Sequence, residues 1–325
     1  MEPSVSPTLN SSSSSNLFDE LPKEKSWGVT ELYQWEGFWY ALPHLKAAIT
    51  ARSQFEASDD DILLASSMKT GTTWLKALIP SIMHCNGEED SDDDDDSNDP
   101  LLRNHPNALM PSIVQIFQEN PNPYLSGMCS PRLFRAHLPY AMLPESVKTS
   151  GCKIVYITRN PKDTFVSLWH FSNAARTPEK GPSPLNKAFE SFCKGVHPFG
   201  PFHDHVLEYW KESVKKSEKI LFLKYEDLKR DTRGQLKKLA SFLGRPFVKE
   251  SELDKVIRRC SLERLKNLEV NKNGVDNLLG IANSLYFRRG TVGDWKNSLS
   301  TEMKERLDNI TKMKLEGSGL DLETS

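Results

Sequence analysis

Residues 67–74 have the sequence SMKTGTTW and separate the apolar run 61–66 from the segment 72–84, whose apolar residues recur at helical spacing. A turn between a strand and a helix directs free backbone N–H groups and the positive end of the helix dipole at one point. Gly71 lets the backbone approach a ligand closely, Lys69 adds a positive charge, and the threonines add hydroxyl donors. The stretch therefore predicts a cradle for a phosphate-sized anion.

The order of residues separates this cradle from the ATP-binding loop of P-loop kinases and NTPases. That loop, G-x-x-x-x-G-K-[ST], places its lysine after a second glycine, whereas here Lys69 precedes Gly71. The stretch has room for one compact anionic group and no evident Mg²⁺-dependent clamp. A P-loop kinase or NTPase is the alternative from another enzyme class, and a helix start with ordinary threonine capping is the structural alternative.

The pattern of a strand, a polar turn and a helix recurs along the chain. Residues 152–158 (CKIVYIT) and 220–224 (ILFLK) are predicted buried strands. A helix is predicted to begin at Pro161, and residues 232–243 have the spacing of an amphipathic helix that Gly244 would cap. The alternation predicts one α/β domain, with a central parallel sheet flanked by helices and a P-loop-like strand-loop-helix.

Residues suited to anions follow these strands, and ligands of parallel sheets bind beyond the carboxyl ends of the strands. Arg159, with a guanidinium fork that matches phosphate, follows the second strand, and Ser167 comes eight residues later. Tyr225 follows the third strand, and residues 286–296 (YFRRGTVGDWK) combine two adjacent arginines with two glycines. Each segment alone fits an ordinary surface turn, but together they predict one anionic ligand.

Together these segments resemble the cytosolic sulfotransferase family, and more narrowly its plant branch. The matching stretches span roughly residues 20–320 in the family's order, and they are MKTGTTW (68–74), RNPKDTFVS (159–167), KYEDL (224–228) and FRRGTVGDW (287–295). The resemblance implies a sulfotransferase that moves a sulfuryl group from 3′-phosphoadenosine 5′-phosphosulfate (PAPS) to a hydroxyl of a small organic acceptor. It implies no metal.

The resemblance also implies a role for each matching residue. The 5′-phosphosulfate would be held by Lys69, Thr70, Gly71, Thr72, Thr73 and Trp74, with Trp74 against the adenine. The 3′-phosphate would be held by Arg159 and Ser167, with help from Arg288, Arg289 and Gly290. Further nucleotide contacts would come from Tyr225 and Ser261.

The family's catalytic base is a histidine in a K-T-H-[LI]-P stretch, and the matching run here is FRAHLP at 134–139. His137 would take the proton of the acceptor hydroxyl, a task that suits the ordinary pKa of histidine. By the same matching, Lys69 would stabilise charge on the leaving phosphate oxygen. Arg135 occupies the position of a family lysine that contacts the sulfuryl oxygens.

Several residues depart from the family pattern. Met68 replaces a proline, Arg135 and Arg289 replace lysines, and Pro80 is predicted to kink or stop the first helix. None of these changes removes a proposed catalytic group. They motivate the non-enzymatic alternative, a protein of this fold that binds nucleotide with little or no turnover.

Charge and composition limit the partners. The chain has 42 basic and 44 acidic residues, but residues 88–99 hold nine of the acids. The remaining 42 bases and 35 acids suit an anionic small ligand and are too balanced for nucleic acid. Five cysteines without a C-x-x-C motif indicate a reducing compartment, with neither a disulfide framework nor a zinc site.

The expected organisation is a disordered tail (1–16) and a sulfotransferase domain (17–325) with an acidic surface loop (88–99). No secretory signal and no apolar run of about 18 residues are evident, so we expect a cytoplasmic protein without a membrane partner. The animal dimer pattern is only partly matched, which favours a monomer or weak dimer.

The acceptor is not identified by the sequence, which leaves phenolic or flavonoid, steroid-like and other plant metabolites open. Aromatic residues fit either an acceptor pocket or the core, and they are Trp27, Trp35, Phe38, Trp39, Tyr40, Phe199 and Phe202.

Overall fold

The computed structural model describes residues 18–27, 30–84, 98–176, 181–276 and 280–322. The predicted tail 1–16 and residues 88–97 of the acidic run lie outside the described residues. Asp99, the last acid of that run, is 2% exposed. Its Oδ2 lies 2.7 Å from a guanidinium nitrogen of Arg264. This end of the acidic run is therefore a buried ion pair and not a solvated segment.

Two sheets are found among the described residues. The strands are β1 (Lys23–Ser26), β2 (Thr30–Trp35), β3 (Phe38–Tyr40), β4 (Ile62–Ser66), β5 (Leu133–Ala136), β6 (Lys153–Thr158) and β7 (Ile220–Lys224). The first three form an antiparallel sheet in sequence order, and the last four form a parallel sheet in the order β5-β4-β6-β7. The predicted α/β class with a central parallel sheet is confirmed.

Helices cover both faces of the parallel sheet. The α-helices are α1 (Leu42–Gln54), α2 (Thr72–His84), α3 (Pro106–Leu109), α4 (Ile113–Glu119), α5 (Glu145–Thr149), α6 (Pro161–Ala174), α7 (Leu185–Cys193), α8 (Phe202–Lys215), α9 (Tyr225–Arg230), α10 (Thr232–Phe242), α11 (Glu250–Arg259), α12 (Leu262–Asn267), α13 (Glu269–Lys272) and α14 (Thr301–Leu315). Short 3₁₀ turns lie at Pro100–Leu102, Tyr140–Met142, Asn283–Tyr286 and Asp294–Asn297.

Strand β4 shows why its sequence is apolar throughout. Leu63 and Ala65 point into one hydrophobic cluster, and Ile62 and Leu64 point into another on the opposite face. Successive side chains of a strand alternate between faces, so a strand covered on both sides has no position that favours a polar residue. The continuous apolar runs of β6 and β7 have the same cause.

The helix predicted to kink or stop at Pro80 continues through it, because α2 spans Thr72–His84. The residues around Pro80 are buried on α2, including Ile79, Ser81 and Ile82. Tertiary packing therefore holds the helix where local propensity disfavours it. The helices starting at Pro161 and Thr232 agree with their predictions.

The core depends on Phe134 of β5, which is 1% exposed and meets the ring of Phe55 edge-on at 5.2 Å. We expect Phe134→Ala to lower the free energy of unfolding by roughly 3–5 kcal/mol, because it removes a ring and leaves a cavity. Denaturant unfolding measures this change. The matched control is Val248→Ala, at a site that is 83% exposed, where the loss should stay under ~0.5 kcal/mol. Equal losses for both variants would contradict the placement of β5.

Candidate functional site

One cavity of about 390 Å³ opens at the carboxyl ends of β4, β5 and β6, where the polar turns follow the strands. It collects all but two of the site residues predicted from the sequence. Those that line it are Lys69, Gly71, Thr72, Thr73, Trp74, Arg135, His137, Arg159, Ser167, Tyr225, Arg288, Arg289 and Gly290. The two that do not line it are Thr70 and Ser261.

The loop between β4 and α2 is fixed from behind by Thr70. Its buried hydroxyl lies 2.9 Å from the carbonyl oxygen of Ser67 and 3.0 Å from that of Ile157 at the end of β6. The hydroxyl therefore serves the loop, and a contact between Thr70 and the 5′-phosphosulfate, which stays a prediction, would have to come from its backbone N–H. Gly71 has φ +112°, and a Cβ there would lie 2.7 Å from Cδ2 of Tyr225. Only glycine fits that position.

Lys69 carries a charge that the protein does not pair with an acid within the described residues. Its Nζ lies 4.0 Å from the centre of the Phe171 ring. Burial, together with the positive charges of Arg288 and Arg159, lowers the pKa of Lys69 to about 7. An anion in the cavity would favour the charged form of Lys69.

Arg159 presents an incomplete set of hydrogen bonds to the cavity. One terminal nitrogen donates to the carbonyl oxygen of Thr291 at 2.6 Å, and it lies 3.3 Å from the Asp163 carboxylate. The Nε atom is buried and has no partner among the described residues, and the same holds for Nε of Arg288. Buried donors without partners are costly, so these atoms fit a phosphate in the cavity.

Two aspartates that the sequence analysis did not single out as ligand-positioning residues hold the arginines. Asp163 accepts hydrogen bonds from the backbone N–H groups of Gly293 at 2.7 Å and Trp295 at 3.0 Å. Asp294 ion-pairs with Arg288 and Arg289, each at 2.6 Å. Burial alone would raise the pKa of Asp294, but these hydrogen bonds lower it to about 2. The signal for both was their place inside the RNPKD and GDW motifs.

Trp74 and Tyr225 form the aromatic wall beside this anion site. Their rings meet edge-on with centres 5.9 Å apart, and the guanidinium of Arg159 lies 4.6 Å from the Tyr225 ring centre. Ser261 instead caps the start of α12, and its hydroxyl accepts a hydrogen bond from the Arg264 N–H at 3.2 Å. The next residue, Leu262, lines the cavity in its place.

His137 lies just beyond β5 and faces the same cavity. Its Nδ1 lies 2.9 Å from the carbonyl oxygen of Ser66, so Nδ1–H donates and the lone pair lies on Nε2. Burial, with a smaller effect from the charge of Arg135, lowers the pKa of His137 to about 3. The imidazole is therefore neutral at physiological pH and able to accept a proton.

The backbone of His137 is held from α8. Nε2 of His205 donates to the His137 carbonyl oxygen at 3.1 Å, and its Nδ1 accepts from the Tyr156 hydroxyl at 2.9 Å. The Tyr209 hydroxyl donates to the carbonyl oxygen of Leu138 at 2.8 Å. No local pattern in the sequence signals these contacts, because they join residues about 50 to 70 positions apart.

The far end of the cavity has an apolar wall and a polar corner. The apolar wall is formed by Ala41, Val114, Pro198 and Phe199. The polar corner contains Lys76, Asn107, Gln115, Asp276 and Tyr286. Of the aromatic residues left open by the sequence, Phe199 lines the cavity, whereas Phe38, Tyr40 and Phe202 are buried in the core. Lys76 was missed, and its signal was a lone charge within the apolar helix α2.

Within the described ranges, no helix is both long and apolar enough to cross a membrane. The same ranges contain no cluster of three or more His, Cys, Asp or Glu residues placed to hold a metal ion.

Comparisons of the sequence with known proteins all point to one family. A model of the sulfotransferase domain matches residues 59–319. Cytosolic sulfotransferase 12 of Arabidopsis thaliana is 43% identical over 94% of this chain and 92% of its own length. Cytosolic sulfotransferase 5 of the same plant is 44% identical over 94% of both chains.

Solved structures agree. A crystal structure of an Arabidopsis thaliana protein, described as a candidate steroid sulphotransferase, has a TM-score of 0.75 and 37% identity, covering 98% of this chain and 99% of that one. A mouse sulfotransferase complexed with PAP has a TM-score of 0.66 and 30% identity, covering 88% and 95%. With the family model spanning most of the sequence, the chain belongs to the sulfotransferase family and, within it, to the plant branch.

Proposed function

We propose that this protein transfers the sulfuryl group of PAPS to a hydroxyl of a small organic acceptor, and that it does so in the cytosol, as the names of its relatives suggest. One observation carries the proposal. A neutral histidine whose Nε2 lone pair has no donor among the described residues shares a cavity with Lys69 and with three arginines whose buried Nε atoms also lack partners there. A base and an anion site in one cavity suit group transfer to a hydroxyl.

The residues of the anion site fit the donor at both of its charged ends. Arg159 and Arg288 would hold the 3′-phosphate, because their Nε atoms are buried donors with no partner in the described part of the chain. Lys69 and the free N–H groups at the start of α2 would hold the 5′-phosphosulfate. Trp74 and Tyr225 would contact the adenine, a contact worth ~1–3 kcal/mol for a stacked base.

The donor supplies a sulfuryl group whose bond to the phosphate oxygen breaks as the acceptor oxygen bonds to sulfur. His137 Nε2 takes the proton of the acceptor hydroxyl. Lys69 stabilises the charge that develops on the phosphate oxygen, and Arg135 neutralises charge on the sulfuryl oxygens. Positioning and charge stabilisation supply most of the acceleration in such transfers, and the base adds roughly 10²–10⁴-fold.

The non-enzymatic alternative rests on Met68, Pro80 and Arg135. The helix continues through Pro80, Met68 packs against the core, and Arg135 keeps a cation in the cavity. These observations favour an active enzyme over the non-enzymatic alternative.

Replacing His137 tests the base. We expect His137→Gln to lower the rate of sulfation by ~10²–10⁴-fold, because no other group would take the acceptor's proton. Binding of 3′,5′-adenosine bisphosphate should remain, as measured by calorimetry. The control is His84→Gln, at the exposed end of α2. Unchanged turnover in His137→Gln would refute the assignment. Bisphosphate binding without turnover in the wild type would support the non-enzymatic alternative.

Replacing Arg159 tests the 3′-phosphate site. We expect Arg159→Ala to lower the affinity for 3′,5′-adenosine bisphosphate by about 10–150-fold, since hydrogen bonds to charged groups contribute ~1.5–3 kcal/mol. Adenosine 5′-phosphosulfate lacks the 3′-phosphate, and its dissociation constant should change by less than ~3-fold. The matched control is Arg230→Ala, on the exposed side of α9. An equal loss of affinity for the two nucleotides would show that Arg159 does not bind the 3′-phosphate.

The lowered pKa of Lys69 predicts how donor-site affinity depends on pH. In the free protein Lys69 loses its proton as the pH rises through about 7, whereas in the complex the bound anion keeps Lys69 protonated. Affinity for the bisphosphate is therefore full below pH 7 and should fall by up to ~10-fold per pH unit between pH 7 and 9. Calorimetric titration across this range measures the effect. In Lys69→Arg the affinity should no longer depend on pH in this range, because arginine stays charged. The same pH dependence in the wild type and in Lys69→Arg would contradict the assignment.

A further inference from the structure

The walls of the cavity carry far more positive than negative charge. Among the described residues, seven cationic side chains line it, and they are Lys69, Lys76, Arg135, Arg159, Lys229, Arg288 and Arg289. One carboxylate, that of Asp276, lines it. A low-dielectric cavity with this surplus favours anionic ligands.

The proposed donor accounts for the cations at one end. Its two charged groups would meet Lys69, Arg159, Arg288 and Arg289, and the last three are also backed by Asp163 and Asp294. Lys76 and the unpartnered Nε of Arg135 remain at the other end, beside His137, because the donor's sulfuryl oxygens would meet only the terminal nitrogens of Arg135. The charges of both lower the pKa of His137, so all three lie in one electrostatic neighbourhood.

Neither of these two cations has an acidic partner in the described part of the chain. Lys76 is 3% exposed, and its Nζ donates to Oδ1 of Asn107, a neutral amide. Arg135 keeps a buried Nε without a partner, and a terminal nitrogen lies 3.4 Å from Oε1 of Gln115. A buried amine and a half-buried guanidinium with neutral neighbours are poorly stabilised as cations without a further anion.

Asp276 does not neutralise this pair through direct contact. One of its oxygens accepts hydrogen bonds from Nδ2 of Asn107 at 2.8 Å and from the Tyr286 hydroxyl at 2.9 Å. These contacts fix Asn107, which in turn orients the Lys76 amine. Asp276 is the one carboxylate near the Lys76 amine and the Arg135 guanidinium among the described residues, so a second anion at this end of the cavity is needed to stabilise both groups in their charged forms.

We propose that Lys76 and Arg135 bind a carboxylate of the acceptor, so that the preferred acceptors are hydroxylated carboxylic acids. This inference rests on the proposed function. The carboxylate would accept hydrogen bonds from the Lys76 amine and from the unpartnered Nε of Arg135. The carbon skeleton would lie on the apolar wall formed by Val114, Phe199 and their neighbours, with the hydroxyl at His137.

Matched acids and esters test the inference. The acceptors are 3-(4-hydroxyphenyl)propionic acid, 12-hydroxydodecanoic acid and the methyl ester of each, assayed with PAPS. We expect the wild type to prefer at least one acid over its ester by ~10-fold or more in kcat/KM, because the ester leaves buried cations unpaired. Lys76→Met should lower kcat/KM for that acid by ~10–100-fold and for its ester by less than ~3-fold.

The matched control is Lys211→Met, an exposed lysine on α8 that does not line the cavity. It should leave all four substrates unchanged. A wild type that prefers the esters, that uses no acid, or that loses acid and ester equally in Lys76→Met would overturn the inference. Melting temperatures identify any variant that fails to fold, and Lys76→Arg, which keeps the charge, should retain the preference for the acid.

Proton uptake provides a readout without turnover. The groups around Lys76 that influence its charge are Arg135, Lys69, His105, Asp276 and Tyr286. Burial, with Arg135 and Lys69, lowers the pKa of Lys76, and Asp276 opposes this in part. An acid bound there would draw a proton onto the amine. Calorimetry in two buffers of different ionisation enthalpy, with the protein saturated with the bisphosphate, should detect uptake in the wild type and none in Lys76→Met.

The two proposals fail differently. Absence of bisphosphate binding would contradict the proposed function itself. Bisphosphate binding with sulfation of neutral acceptors alone, or acid binding without proton uptake, would contradict only the role of Lys76 and Arg135.

Discussion

The buried carboxylate of Asp163 is the contact on which the anion site depends. It lies in the first turn of α6 and accepts hydrogen bonds from the backbone N–H groups of Gly293 and Trp295, about 130 residues away. These bonds fix the C-terminal segment that carries Arg288, while the same carboxylate lies 3.3 Å from Arg159. One acid therefore sets the spacing between two arginines from distant parts of the chain.

Burial gives the cavity two properties at once. It keeps His137 neutral, so that its lone pair is available, and it lowers the pKa of Lys69 to about 7. Both effects come from removing water around groups that lie among other cations. Burial leaves the His137 lone pair free, and anionic ligands that enter the cavity would offset its positive charge and thereby make the imidazole a stronger base.

The sequence predicted best what is local and repeated. The strands β4, β6 and β7 and the loop with Lys69 and Gly71 were all predicted, because apolar runs and a glycine turn are encoded by neighbouring residues. Strand β5 and the antiparallel sheet of β1–β3 were not, because they are short and their pairing is set by distant residues. Thr70 and Ser261 were placed at the ligand by motif membership alone, which does not specify where a side chain points. The contacts of His205 and the burial of Lys76 depend on the folded chain.

The order of the parallel strands separates two kinds of wall. The loop with Lys69 and the strand end before Arg159 belong to β4 and β6, the two inner strands, which are held on both sides. His137 follows β5, an edge strand, and the rest of the far wall comes from α4 and from residues 198–199, which lie outside the sheet. A substitution in this periphery changes the shape offered to an acceptor without shifting the inner strands. The fold thus combines a nucleotide half fixed by the inner strands with an acceptor half built on an edge strand and on segments outside the sheet, where new specificities can arise.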